Sequence, residues 1–278
     1  MQRLNSRRCA LILLAAGILL PPSSPAQGPT MNERAVVAIQ AQDLKPPFDF
    51  IVIGDPQGRY EAASRLLANA KRFNPAFVIF VGDLTKQGQE EQYQAYLDMI
   101  RGAKMPVLSV IGNHDTDAAG GREAYERLFG KPDFCFDAGA RGFVVLDSAA
   151  GRLTAAQLEW LKGVLDGKQR TYLFTHEPPY MGNWWFDSFV EGTPQFLSMV
   201  ERARVPWVFI GHLHLLDGLA RNGTRYLVAG SGGIIPYSLP EGKVARCFVR
   251  VHVTQEGEEI EAYGLHGERI EMPGGISN

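Results

Sequence analysis

Short apolar runs recur along the first half of the chain, and each stops abruptly at a glycine followed by a polar residue. Phe48–Ile53 ends at Gly54-Asp55, Phe77–Val81 ends at Gly82-Asp83, and 107–111 ends at Gly112-Asn113. Brief apolar runs bounded by turn residues are the pattern of buried strands. Between them the period changes to that of a helix. Residues 60–72 place Ala63, Leu66, Leu67 and Ala70 on one face, and 89–101 do the same with Tyr93, Tyr96, Leu97 and Ile100. Strands alternating with helices predict an α/β arrangement with ligands at the carboxyl ends of the strands.

In the second half, 134–136, 142–146, 170–174 and Trp207–Ile210 read as strands. Only 154–165 reads as a helix there, with Thr154 as its cap and Leu158, Leu161 and Leu165 on one face. From 225 to about 263 the pattern predicts three or four strands joined by Gly-rich turns. No internal repeat or domain boundary is visible, so 47–278 reads as one domain, preceded by an N-terminal tail at 27–46.

Residues 1–26 stand apart and read as a signal peptide. Arg3, Arg7 and Arg8 form a positive region, Cys9 to Leu20 is an apolar run, and Ser24-Pro25-Ala26 offers small residues for cleavage. The run is shorter than the roughly 20 residues needed to cross a bilayer. The protein is therefore expected to be exported, periplasmic or secreted, with no stable membrane anchor. Ser6-Arg7-Arg8 has part of a twin-arginine signature, so the route stays open between the two export systems.

Composition adds exclusions. The 278 residues are 45% hydrophobic and 21% charged, which excludes a disordered, collagen-like or coiled-coil chain. Removing the signal takes three arginines and no acids, shifting the formal charge from −2 to −5. Sequence-independent nucleic-acid binders are basic, so no nucleic-acid partner is expected. Cys135 and Cys247 would remain; an oxidising compartment permits a disulfide, but two buried free thiols are the favoured expectation.

The polar residues at the strand ends carry the chemistry. Four of the six histidines, His114, His176, His212 and His214, follow strand-like runs, in the same position as Asp55, Asp83 and Asn113. Any one of these is ordinarily a turn or capping residue. Seven such groups gathered at one sheet edge would be costly to bury without cations. Carboxylate, carboxamide and imidazole donors without thiolate suit Mn, Fe or Zn. His212 and His214 alternate, so in an extended segment both face one side and can serve adjacent metals.

The series Gly54-Asp55-Pro56-Gln57, Gly82-Asp83, Gly112-Asn113-His114-Asp115, Thr175-His176 and Gly211-His212-Leu213-His214 resembles the calcineurin-like metallophosphoesterases in order and separation. The resemblance covers nearly all of the mature chain. It implies an α/β fold of α-β-β-α type, a two-sheet β-sandwich flanked by helices with a dinuclear site at its edge. It implies that Asp55 and His214 hold a first metal, that Asn113, His176 and His212 hold a second, and that Asp83 bridges them. His114 would contact the phosphoryl group and protonate the leaving oxygen. Asp115 would either orient that imidazole or shift its pKa, or serve the turn alone.

Gln57 departs from the family, where histidine usually ligates the first metal. The Asp-Pro-Gln form resembles a known subgroup. A neutral amide oxygen is a weaker, harder donor, so the first metal is expected to bind less tightly or to lean toward Mn or Mg. The Asp-Arg-Gly of Ser/Thr protein phosphatases is replaced by Leu84-Thr85-Lys86, and no nucleophile elbow or P-loop is present.

The resemblance thus implies a phosphohydrolase, exported if 1–26 is a signal, acting on small phosphorylated substrates through hydroxide activated by two divalent ions. Monoesters are slightly favoured. A phosphodiesterase of the same fold and a non-catalytic metal- or phosphate-binding protein remain as alternatives. Arg59 and Lys86 are candidates to meet phosphate oxygens, although ordinary surface charge explains each. Tyr180, Trp184 and Trp185 form either an aromatic rim for the leaving group or a hydrophobic plug.

Overall fold

The computed structural model describes residues 28–167, 170–182, 184–233, 243–244, 246–274 and 276. The signal-peptide reading of 1–26 lies outside the described residues. The first half contains α1 (Met31–Gln40), β1 (Phe48–Ile53), α2 (Tyr60–Ala70), β2 (Phe77–Val81), α3 (Glu90–Arg101), β3 (Val107–Val110) and α4 (Gly121–Phe129). The second half opens with β4 (Phe134–Ala138), β5 (Arg141–Leu146), α5 (Ala155–Leu165), β6 (Thr171–Thr175), α6 (Thr193–Arg202) and β7 (Trp207–Ile210). The chain then forms β8 (Leu215–Arg221), β9 (Thr224–Ala229), β10 (Lys243–Val244), β11 (Cys247–Val253), β12 (Glu258–Gly264) and β13 (Arg269–Ile270).

The strands form a six-stranded sheet, β13-β12-β11-β1-β2-β3, and a seven-stranded sheet, β10-β8-β9-β7-β6-β5-β4. Within the first, β1, β2 and β3 run parallel; within the second, β5, β6, β7 and β9 do. Their continuous apolar sequences follow from burial on both faces. Alternation sorts the side chains: Phe50 and Val52 face the other sheet, whereas Ile51 and Ile53 face the helices. Phe77, Phe143, Phe174 and Phe209 join Phe50 between the sheets, and Phe50 stacks on Phe77 with centroids 5.2 Å apart. Leu66, Tyr93 and Tyr96 cover the outer face of the first sheet, and Leu161, Phe196 and Val200 cover that of the second. This is the α-β-β-α sandwich.

The helix expected at 154–165 has the predicted cap: the Gln157 backbone N–H donates to Thr154 Oγ1 at 3.2 Å. The second half holds one more helix than its pattern predicted, α6, which opens at Thr193-Pro194. The cysteine expectation is corrected in part. Both thiols are free, but only Cys247 is buried; Cys135 is exposed on β4. Among the described residues no helix is long and apolar enough to cross a membrane.

Residues 27–46 are not simply a tail. They contain α1, capped by reciprocal contacts between Thr30 and Glu33, with Asn32, Ala35 and Ile39 buried. Asn32 treats the edge strand β3 as a partner strand would, donating to the Ser109 carbonyl at 3.0 Å and accepting from its N–H at 2.9 Å. Asn32→Ala leaves that buried N–H unsatisfied. The expected cost is about 2 kcal/mol, read as a lower denaturation midpoint, whereas a detached tail predicts no change.

Candidate metal centre

All seven candidate ligands lie just beyond the carboxyl ends of five strands. Asp55 and Gln57 follow β1, Asp83 follows β2 and Asn113 follows β3, while His176 follows β6 and His212 and His214 follow β7. Asp55, Gln57, Asp83, His212 and His214 have left-handed backbone, with φ of 41°, 40°, 49°, 67° and 55°. Such a conformation on non-glycine residues costs about 1–3 kcal/mol each and survives only where the surroundings enforce it. Here the Gln57 N–H donates to the Asp83 carbonyl at 2.8 Å, and the His212 N–H donates to Asp55 Oδ1 at 2.9 Å. Gly112 admits the Asp83 carboxylate, and Gly82 admits the His176 ring; a Cβ on either would overlap those groups.

The donors fall into two sets. Asp83, His176 and His212 each offer an atom within 4.8 Å of the others, and so do Asp55, Asp83 and His214. Asp83 belongs to both sets, as expected of a bridging carboxylate. His176 Nδ1 donates to the Val81 carbonyl at 2.9 Å, which aims Nε2 into the centre. Around that nitrogen stand Asn113 Oδ1 at 3.0 Å, Asp83 Oδ1 at 3.2 Å and His212 Nδ1 at 3.2 Å. His214 Nε2 lies 3.6 Å from Asp55 Oδ1. Gln57 Nε2 points toward Asp83 Oδ2 at 3.5 Å.

The electrostatics express a demand for positive charge. Burial raises the Asp55 carboxyl well above its usual range, against the pull of His176 and with the push of Asp83. Burial also opposes charge on His176, yet Asp83 and Asp55 together raise it to about 10. Asp83 is held below the ordinary carboxylate range because His176, His114 and His212 outweigh its burial. Burial, reinforced by His176, lowers His212 to about 3, and burial lowers His214 to about 4. The donor set fits two divalent ions. Asp55 Oδ2 and Gln57 Oε1 are buried without a hydrogen-bond partner among the described residues, as unused oxygen donors beside the shared carboxylate.

His114 and Asp115 part company. His114 is partly exposed beside the centre, its N–H donating to Asp83 Oδ1 at 3.1 Å and its Nε2 lying 4.0 Å from Asp83 Oδ2. Asp115 turns away and is fully buried. Its carboxylate accepts from the N–H groups of Leu84, Thr85 and Gly112 at 3.1, 2.9 and 2.9 Å, and from Thr85 Oγ1 at 2.8 Å. Burial and Asp83 push it up to about 7. Asp115 therefore ties the loop of Asp83 to the loop of Asn113, which is the turn role among its expected readings. Asp117, passed over in the sequence, is the acid beside the His114 ring: its Oδ2 is 3.0 Å from His114 Nδ1. The signal was available only as an acid three residues after the histidine.

The aromatic segment after His176 divides between its two readings. Trp184 is a plug, 1% exposed, with Nε1 donating to Asp217 at 2.9 Å, whereas Tyr180 and Trp185 are 48% and 67% exposed. Arg59 and Lys86 are both exposed, and the Lys86 carbonyl reaches His114 Nδ1 at 3.1 Å.

A model of the calcineurin-like phosphoesterase family matches residues 48–216, more than half of the chain, and the protein belongs to that family. One relative, named a probable cyclic nucleotide phosphodiesterase of Rhodopseudomonas palustris, is 32% identical over 187 residues, 58% of this chain and 64% of its own length. A second, named a glycerophosphodiester phosphodiesterase of Enterobacter lignolyticus, is 30% identical over 175 residues, 57% of this chain and 62% of its own. The match spans less than two thirds of either relative. Among solved structures, a dimetal phosphatase from Danio rerio superposes with a TM-score of 0.62 at 14% identity, covering 79% of this chain and 96% of that one. A purple acid phosphatase from yellow lupin gives 0.66 at 17% identity, covering 82% and 53%. These two likenesses concern the fold.

Metal uptake tests the centre directly. His176 must shed its Nε2 proton to ligate, whereas His212 and His214, with pKa lowered to about 3 and 4, are already neutral at pH 7. Loading Mn or Zn at pH 7 is expected to release at least about one proton, read as a calorimetric enthalpy that varies with buffer. Affinity should fall with acid; a buffer-independent enthalpy contradicts the assignment. Gln57→His is expected to raise retention of the first metal roughly tenfold after dialysis, measured by metal analysis, because imidazole is the stronger donor.

Proposed function

We propose that this chain is a metal-dependent phosphodiesterase, with Asp55, Gln57, Asp83 and His214 holding one divalent ion and Asp83, Asn113, His176 and His212 a second. The observation that carries the reading is Asp83's membership of both donor sets. The names of the two relatives favour diesters, which reverses the slight preference for monoesters drawn from the sequence. Export, argued from residues 1–26, belongs to the same proposal.

Two ions held there supply charge neutralisation for phosphate oxygens and an activated water near neutral pH. The chain's own groups do the rest. Val81 and Asp115 fix the ligand loops, so little reorganisation is needed when substrate arrives. The His114 ring is accessible and next to Asp83, placed to give a proton to the departing alkoxide. The exposed rings of Tyr180 and Trp185 offer flat apolar surface on which the base of a nucleotide substrate could stack.

The test compares bis-p-nitrophenyl phosphate, p-nitrophenyl phosphate and a cyclic nucleotide, with protein stripped of metal and reloaded with Mn, Fe, Zn or Mg. Metal-restored turnover is expected on the diesters above the monoester. It should vanish in Asp83→Ala and fall by about 10²–10⁴ on alkyl esters in His114→Ala. Faster hydrolysis of the monoester restores the earlier preference; metal binding without turnover on any ester favours a binding protein. Trp185→Ala is expected to raise KM for the cyclic nucleotide roughly tenfold, about the worth of one stacking contact. An equal rise for a glycerophosphodiester argues against stacking.

A further inference from the structure

We infer that Asp117 is a positioning residue for His114, holding the imidazole so that Nε2 faces the ester and Nδ1 stays protonated. The inference rests on the phosphodiesterase reading above and names how its proton donor is aimed.

His114 Nδ1 has two neighbours, the Lys86 carbonyl at 3.1 Å and Asp117 Oδ2 at 3.0 Å. A carbonyl only accepts, so Nδ1 donates to Lys86, and the Asp117 carboxylate stands at ion-pair distance from the same nitrogen. That fixes the tautomer and leaves Nε2 as the nitrogen turned to the centre, 4.0 Å from Asp83 Oδ2. The backbone makes the contact local. Residues His114–Thr116 form one turn of 3-10 helix, in which side chains three apart lie above one another, bringing Asp117 over His114. The adjacent acid is committed elsewhere, since the Asp115 carboxylate accepts from three backbone N–H groups and one hydroxyl.

The two neighbours differ in character. Lys86 follows the Asp83 block, so its carbonyl fixes the ring relative to the loop of the bridging carboxylate. Asp117 adds a negative charge 3.0 Å from the same nitrogen, which attracts the Nδ1 proton and holds that edge of the ring toward the turn. In the step they serve, water gives one proton to solvent and adds to phosphorus as hydroxide, while the P–O bond to the leaving group breaks and the leaving oxygen keeps its electron pair. The leaving oxygen takes the Nε2 proton of the imidazolium, which becomes neutral imidazole. The Nδ1 proton stays between Lys86 and Asp117 throughout. Both side chains are part-exposed, 37% for His114 and 48% for Asp117, so the pair adds little to stability and a substitution leaves the fold intact.

The experiment exploits leaving-group chemistry. p-Nitrophenolate departs with little help from an acid, whereas the alkoxide of a cyclic nucleotide needs one. Rates on bis-p-nitrophenyl phosphate and a cyclic nucleotide are measured for the metal-loaded parent, Asp117→Asn, Asp117→Ala, His114→Ala and the His114→Ala/Asp117→Ala double variant. Both Asp117 variants are expected to lower the alkyl-to-aryl rate ratio by roughly tenfold, with little further loss in the double variant. Equal losses on the two esters, or additive losses in the double variant, overturn the inference. Histidine ¹⁵N spectra provide a readout independent of turnover. The His114 Nδ1-protonated signal should weaken in Asp117→Ala; an unchanged signal overturns the inference even if the activity proposal stands. If the parent hydrolyses neither ester, the phosphodiesterase reading fails, and the spectra still decide whether Asp117 orients the ring.

Discussion

Two buried carboxylates set the terms for this protein. Asp55 and Asp83 bring oxygens within 4.8 Å of each other inside the fold. At an effective dielectric of about 20, two charges at that separation repel by roughly 3–4 kcal/mol. Neither carboxylate has an arginine or lysine to answer it among its principal electrostatic neighbours; histidines surround them instead. A proton on His176 Nε2 offsets part of the repulsion, which is why that imidazole is so basic. One proton cannot also satisfy the Asp55 and Gln57 oxygens that lack partners. Divalent ions answer both needs with the same donors, so the centre is a poor structural device and a good metal site.

The backbone around these groups is bent to the same end. Left-handed conformations at Asp55, Gln57, Asp83, His212 and His214 turn the chain sharply where each strand ends. An ordinary strand-to-helix turn would place such residues on glycine or asparagine. Keeping aspartate, glutamine and histidine there stores strain, offset by the bonds between ligand loops and by Asp115 beneath them. Gly82 and Gly112 provide the room: each stands where a ligand side chain crosses.

Much of this was legible in the sequence because two strong signals coincide. Apolar runs such as Phe77–Val81 announce strands buried on both faces, and the polar residue after each is out of place unless a ligand explains it. What the sequence does not reveal depends on distant contacts. Helix α1 is short, leaves Val37 66% exposed, and gains its place by packing Ala35 and Ile39 into the core and hydrogen-bonding Asn32 to β3. Strand β8 carries Asp217, Gly218 and Arg221, a weak strand sequence that owes its form to pairing with β9. Asp115 was the nearer acid to His114, and only the 3-10 turn reveals that Asp117 reaches the ring. Trp184 and Trp185 look equivalent in sequence; packing into the apolar cluster on the outer face of the second sheet, with a bond to Asp217, buries one, and the other stays exposed.

The centre also links metal binding to the packing of the whole domain. Asp55, Asp83 and Asn113 come from one sheet, and His176, His212 and His214 from the other. Neither sheet alone carries both donor sets. Their approach is set by the aromatic layer of Phe50, Phe77, Phe143, Phe174 and Phe209 packed between them. Ions held across the seam would draw the two sheets together, so metal affinity and the packing of that layer would share one free energy. The fold class hosts many chemistries. In this chain the chemistry is specified at the seam, by which side chains meet when the two sheets close on their common core.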